Sequence, residues 1–276
     1  MPKLDFWCEL ASTYTYLAAL RIGPLARARG VEVAWRPFSL GPIFALRGLT
    51  TSPFNVETDK GTHMWRDVAR SAAKLGRPFR RPSEFPRNTI GALRLAILGV
   101  DRGWGAEFIR AALRANFEED RAIDRDAVLD ELLGALGLDG KATREEAVSP
   151  EWKPRLRAET ERAQALGIFG APTFVADGEL FWGNDRLESA LEWLTRHREQ
   201  AGAREPRREA TAEATGAPRR EDSVARDIVA IEHAALVRWC AGDPSGFLEI
   251  SAPDVSKASS AVKRAASETS RTGLIR

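Results

Sequence analysis

The sequence predicts an α/β protein in which one four-stranded sheet is assembled from two halves of the chain, with an all-helical segment between them. Three observations predict it. Strand, helix and strand patterns alternate over residues 3–38; helical patterns then dominate for more than a hundred residues; and a strand pair joined by a tight turn returns near residue 173 before a last helix.

Lys3 to Glu9 reads as a short strand. Tyr14 to Arg29 reads as a helix whose Leu17, Leu20, Ile22 and Leu25 lie roughly on one face, and Gly30 stops it. Val31 to Phe38 is β-branched and aromatic with partial alternation, so it is the next strand. A β-α-β unit this short implies a right-handed crossover and a parallel pair. From Pro42 onward the helical stretches are His63 to Leu75, Asn88 to Arg102, Trp104 to Phe117, Asp126 to Leu136 and Glu151 to Leu166, an insertion over roughly residues 42–166. Thr173 to Ala176 and Glu179 to Trp182 then flank Asp177-Gly178, a strong hairpin signal, and Asp185 to Arg196 closes as an amphipathic helix. Beyond the domain at 1–199, residues 200–223 are rich in Ala, Arg, Glu and Pro with almost no large apolar side chain, which predicts a disordered linker. Residues 224–276 hold an apolar island too small to form a core alone.

Composition excludes several classes of function. The 41 basic and 39 acidic residues nearly cancel, so neither a nucleic acid nor an anionic membrane is expected as a partner. Only Cys8 and Cys240 are present, far apart, which argues against a disulfide framework. His63, His197 and His233 stand beside no Cys or carboxylate at zinc-like spacing, so no metal site is expected. The opening residues lack the apolar core of a signal peptide, and no stretch approaches the roughly 20 apolar residues of a membrane span, so a cytoplasmic protein is expected.

The chemistry-bearing residues cluster in two places. Ser12 sits where the first strand meets the first helix, where unsatisfied N–H groups and the helix dipole stabilise an anion. A serine there either caps the helix, faces a ligand, or does both. Downstream, Gly170-Ala171-Pro172-Thr173 leads into a strand through an X-Pro bond, the bond type that tolerates cis geometry.

DFW, ASTYTYLAALRIGPLA, VAWRPFSLGPIF, SPFN, KGTHMWRD, FPRN and GIFGAPTFVADGELFWGNDRLESAL, in that order over residues 3–196, resemble the 2-hydroxychromene-2-carboxylate isomerase family. That family has a DsbA-like thioredoxin fold with an inserted helical subdomain and is related to kappa-class glutathione transferases. The resemblance implies a homodimeric, glutathione-dependent isomerase acting on an aromatic substrate. It assigns catalysis to Ser12, which replaces the first redox cysteine of DsbA-like relatives and donates a hydrogen bond to the glutathione sulfur. It further implies a cis Pro172, cysteinyl pairing at the Ala171 backbone, Asn184 and Asp185 at the γ-glutamyl end, and Lys60 near the glycyl end. Asn88, Trp35 and Tyr14 would face the substrate. Each has a plainer reading: Asn184, Asp185 and Asn88 as helix caps, Lys60 as a solvated surface lysine.

The sequence departs from the family pattern at Cys8 and Glu9, where an aromatic residue and an aspartate are expected, at Thr13, which replaces a proline, and at Thr51, which falls where some relatives place a glutathione-contacting asparagine. Cys8 on a buried strand reads as a small hydrophobe. The segment IVAIEHAALVRWCAGDPSGFLEISAPDV resembles the opening helices of an SnoaL-like fold whose curved sheet is missing, a truncated fragment. Two other functions fit the same fold: a kappa-class-like transferase or peroxidase, which would share the glutathione site, and a non-catalytic DsbA-like peptide or thiol binder using the proline groove.

Overall fold

A computed structural model describes residues 1–203, and side chains to residue 196. Of the linker expected over residues 200–223, residues 200–203 instead continue the last helix, and the part from residue 204 onward, with the whole C-terminal fragment, lies outside the described residues. The elements run β1 (Lys3–Cys8), α1 (Thr13–Ala28), β2 (Glu32–Pro37), α2 (Leu40–Ala45), α3 (Pro53–Val56), α4 (Thr58–Lys74), α5 (Ile90–Arg102), α6 (Gly105–Phe117), α7 (Asp126–Gly134), α8 (Gly140–Ala147), α9 (Arg155–Ala165), β3 (Thr173–Ala176), β4 (Glu179–Trp182) and, after a 3₁₀ turn at Asn184–Arg186, α10 (Leu187–Ala203). The last helix passes its expected end at Arg196 because GluGlnAlaGlyAla continues a run dominated by good helix formers.

The sheet has the order β2-β1-β3-β4, with β1 and β2 parallel and the β3 and β4 pairings antiparallel. Register aligns Trp35, Phe6, Phe174 and Phe181 in one row across all four strands. Phe6 packs edge-on against Trp35 with ring centroids 4.9 Å apart and stacks on Phe174 at 5.3 Å. Period-two alternation along β1 sends Leu4, Phe6 and Cys8 into the main core and Trp7 to the opposite face, against Phe38, Ile43, Ala163 and Ile168. The tight turn between β3 and β4 places Asp177 and Gly178 at φ 49 and 88, the left-handed geometry that Asp-Gly adopts at low cost. The Ala171–Pro172 bond is cis, as expected, and so is Phe85–Pro86.

The helical insertion holds the end of β1 in place through α6. At its C-terminal end, Asn116 is buried and donates through Nδ2 to the Leu10 carbonyl at 3.1 Å while its Oδ1 accepts from Arg87 Nε at 3.1 Å. Arg87, also buried, pairs with Asp120. Two residues beyond Asn116, Glu118 takes a bidentate pair from Arg77 and lies 3.0 Å from the Tyr16 hydroxyl of α1. The turn between β1 and α1 is thereby tied to a scaffold about a hundred residues away, and the buried polar groups of that tie are satisfied.

Asn116→Ala would leave the Leu10 carbonyl and Arg87 Nε buried without these partners, at about 1 to 3 kcal/mol for each group. Urea denaturation should therefore show a loss of about 2 to 6 kcal/mol. A loss below about 0.5 kcal/mol, the level of an ordinary surface change, would mean that this tie does not hold the turn.

Candidate active site

Ser12 is the N-cap of α1, with extended backbone at φ −83 and ψ 117. Its Oγ accepts from the Thr15 N–H at 3.2 Å and donates to the Ala171 carbonyl at 2.8 Å. The residue therefore both caps the helix and faces the loop that carries Pro172. Of the alternatives open in the sequence, the capping one is met. The first turn of α1 contains no acidic residue, so the partial positive charge of the helix start is not cancelled there.

Around this pair the fold collects other polar groups. Thr13 Oγ1 donates to Met64 Sδ at 3.3 Å and docks α4 against the start of α1. The Tyr14 hydroxyl donates to Asp67 Oδ2 at 3.1 Å. Burial first, then the Asp67 and Asp185 carboxylates, push the Tyr14 hydroxyl up to about 12, so it stays a proton donor. Asp185 is exposed, and its carboxylate pairs with Arg186 at 3.2 Å. Asn184 Oδ1 accepts from Arg21 Nη1 at 3.0 Å, and Arg21 also pairs with Glu188, so Asn184 is fixed to α1 and α10 rather than free.

The remaining expected site residues sit further out. Lys60 is exposed on α4, one turn before Met64, and pairs with Glu57 at 3.0 Å. Asn88 is exposed, and its Oδ1 accepts from the Ile90 N–H at 3.1 Å, which is the capping alternative. Trp35 requires a correction. It is buried in the cross-strand row, with the Arg110 guanidinium 4.9 Å from its ring, and it presents no surface to a substrate. Partial alternation in VEVAWRPF places it on a strand without revealing which neighbours cover it. Thr51 accepts from Asn55 Nδ2 at 3.1 Å, a local contact within the α2 to α3 region.

Two residues of the site are not marked by the sequence. Asp67 lies within KGTHMWRD, but nothing in that motif identifies it as the partner of Tyr14. Glu9 stands out only as a departure from the family pattern. It is buried, its Oε2 accepts from the Ala11 N–H at 2.8 Å, and its Oε1 accepts from the Thr89 hydroxyl. Burial is the main reason that its carboxyl is pushed up to about 7, while the bonds from Thr89, Ala11 and Leu10 act in the other direction. Cys8 is fully buried as well, and burial, followed by Glu9, raises its thiol, so it remains an inert thiol. No cluster of metal-ligating side chains is present among the described residues. Hollows of about 360 and 230 Å³ lie on the helical insertion between α5, α7 and α8, and their lining includes none of these residues.

The chain is similar to known proteins over most of its described length. The family described as DSBA-like thioredoxin domain matches residues 3–194. The chain is 32% identical over 196 residues to the 2-hydroxychromene-2-carboxylate isomerase of Sphingobium xenophagum, covering 69% of this chain and 97% of that protein. It is 27% identical over 199 residues to the protein of the same name from Pseudomonas putida, covering 70% and 96%. A solved 2-hydroxychromene-2-carboxylate isomerase structure superposes with a TM-score of 0.66 at 23% identity, covering 73% of this chain and 98% of that one. No described helix is long and apolar enough to cross a membrane.

The buried Glu9 carboxyl has a measurable consequence. In the folded chain it keeps its proton to about pH 7, whereas the unfolded chain releases it near the ordinary value of 4.5. Its contribution to stability is complete below about pH 4.5 and is lost as pH rises through about 7, a change on the order of 3 kcal/mol. Denaturation midpoints of the parent should fall across this window, and Glu9→Gln should flatten that part of the profile. An unchanged profile in Glu9→Gln would place the titration elsewhere.

Proposed function

Because the chain belongs to the DsbA-like thioredoxin domain family, and its relatives there carry the isomerase name, we propose that it is a glutathione-dependent isomerase acting on a compound of the 2-hydroxychromene-2-carboxylate type. The observation that carries this reading is the hydroxyl of Ser12 at the start of α1, bonded to the Ala171 carbonyl, with the thiol of Cys8 sealed in the core. Disulfide exchange needs a thiolate in reach of its partner. Among the described residues this site offers a hydroxyl instead, so the nucleophilic sulfur must come with the ligand.

The residues present fit glutathione. Ser12 and the start of α1 suit an anionic sulfur, the Ala171 backbone suits a peptide group, Asp185 with Asp67 suits an ammonium, and Lys60 suits a carboxylate at the far end. When bound, glutathione supplies a thiolate that can add reversibly to an unsaturated carbon. The chain's own part is to hold that sulfur anionic and in place. Ser12 Oγ has one proton, which it donates to the Ala171 carbonyl. A ligand amide that takes over this carbonyl frees the Ser12 proton for the sulfur, so backbone pairing and thiolate stabilisation are coupled through one hydroxyl. Ser12 is not itself the nucleophile in this reading, since among the described residues no histidine or free carboxylate bonds to its Oγ.

Turnover of 2-hydroxychromene-2-carboxylate should require glutathione, and a stable glutathione conjugate in place of the isomer would mark a transferase instead. Ser12→Ala should raise the thiol pKa of bound glutathione, followed by thiolate absorbance against pH, and should slow turnover by about ten- to a thousandfold. It should also lower stability by about 1 kcal/mol through loss of the cap on Thr15. An apparent thiol pKa identical to that of the parent would rule out this role for Ser12.

A further inference from the structure

The loop into β3 carries an aromatic platform that the glutathione-facing residues leave unused. Phe169 and Trp182 pack with ring centroids 4.8 Å apart, and Trp182 remains 52% exposed although it is a large apolar side chain. Its indole seats directly on Gly170, where an added Cβ would lie only 2.4 Å from Nε1. Gly170 precedes Ala171, whose carbonyl accepts from Ser12. The platform therefore begins one residue from the catalytic hydrogen bond.

Arg47, just past α2, places its guanidinium 5.5 Å from the Phe169 ring centroid. It is exposed, and among the described residues it is in contact with no carboxylate. Seven residues further on, Phe54 packs against Tyr14 at 6.4 Å, because α3 docks directly on the Gly61 backbone of α4. The connection from Arg47 to Phe54 thus starts beside Phe169 and ends beside Tyr14, on either side of Ser12. An exposed indole face, a second aromatic ring and a forked cation without a carboxylate partner together suit one class of ligand: a planar aromatic ring bearing a carboxylate.

We propose that Arg47, Phe169 and Trp182 form the substrate subsite, with Arg47 binding the carboxylate and the two rings stacking on the bicyclic system. This rests on the isomerase reading and adds residues that determine specificity. The test is calorimetric titration of the full-length protein, without glutathione, using chromone-2-carboxylate, an unreactive planar acid, and in parallel uncharged chromone and glutathione alone. Arg47→Ala should weaken the acid by about tenfold or more while leaving chromone and glutathione unchanged. Trp182→Leu should weaken acid and chromone alike. Equal affinity of parent and Arg47→Ala for the acid, or a loss confined to glutathione, would overturn the subsite. Because Arg47 is exposed and unpaired with any described carboxylate, its replacement should not disturb folding. Turnover by the parent reports on the reaction separately: turnover with no Arg47 effect on acid binding defeats the subsite alone, whereas Arg47-dependent acid binding without turnover defeats the isomerase reading alone.

Discussion

The hydrogen bond from Ser12 Oγ to the Ala171 carbonyl joins residues 159 positions apart, and the rest of the site is arranged around it. One partner is the first residue before α1, where N–H groups are left without acceptors. The other is the last residue before Pro172 and β3. The two ends of the split sheet meet at this point because β1 pairs directly with β3, with Trp7 opposite Thr173. A single hydroxyl thus senses both halves of the fold, and whatever engages the Ala171 carbonyl changes what that hydroxyl can do.

Holding this contact requires a rigid turn between β1 and α1, and the helical insertion provides it. Leu10 is held by Asn116, the Ala11 N–H by Glu9, and Glu9 by Thr89 at the entry to α5. These groups are buried, where an unmatched donor or acceptor is costly and a satisfied one is correspondingly directional. The insertion is therefore a clamp on the turn between β1 and α1 as well as a cover over the sheet. The acidic Glu9 within that clamp gives it a charge state that changes near neutral pH, since burial opposes ionisation.

Much of the fold is legible from residues alone. The bounds of β3 and β4 follow from Asp177-Gly178, because few other dipeptides accept two left-handed conformations in succession. The long helices follow from their apolar periodicity, as in α4, where Met64, Val68 and Ala72 face inward, although α4 begins at Thr58 and not at the expected His63. The helices α2, α3 and α8 do not follow, because they are short and depend on local caps and close contacts: Ser52 accepting from Phe54, Asp139 accepting from Ala142, and Gly140 lying against Asp130. Within the site, Ser12 is visible because a strand-to-helix junction gives a serine a physical role. Asp67 and Glu9 are not, since their partners come from α1 and α5, and no spacing within one segment encodes contacts 53 and 80 residues apart. Trp35 shows the converse: the resemblance assigns it to the substrate, whereas the cross-strand row buries it against Phe6.

The proposed function has the chain prepare a ligand's sulfur, with a hydroxyl where a thiol would serve exchange chemistry. The direct measure of that claim is the proton balance of glutathione binding, from calorimetry of the full-length protein at pH 7 in two buffers of different ionisation enthalpy. A thiol with an ordinary pKa of about 8.5 that becomes a thiolate on binding must release close to one proton, and S-methylglutathione must release none. Binding without proton release, or no binding at all, would contradict the account.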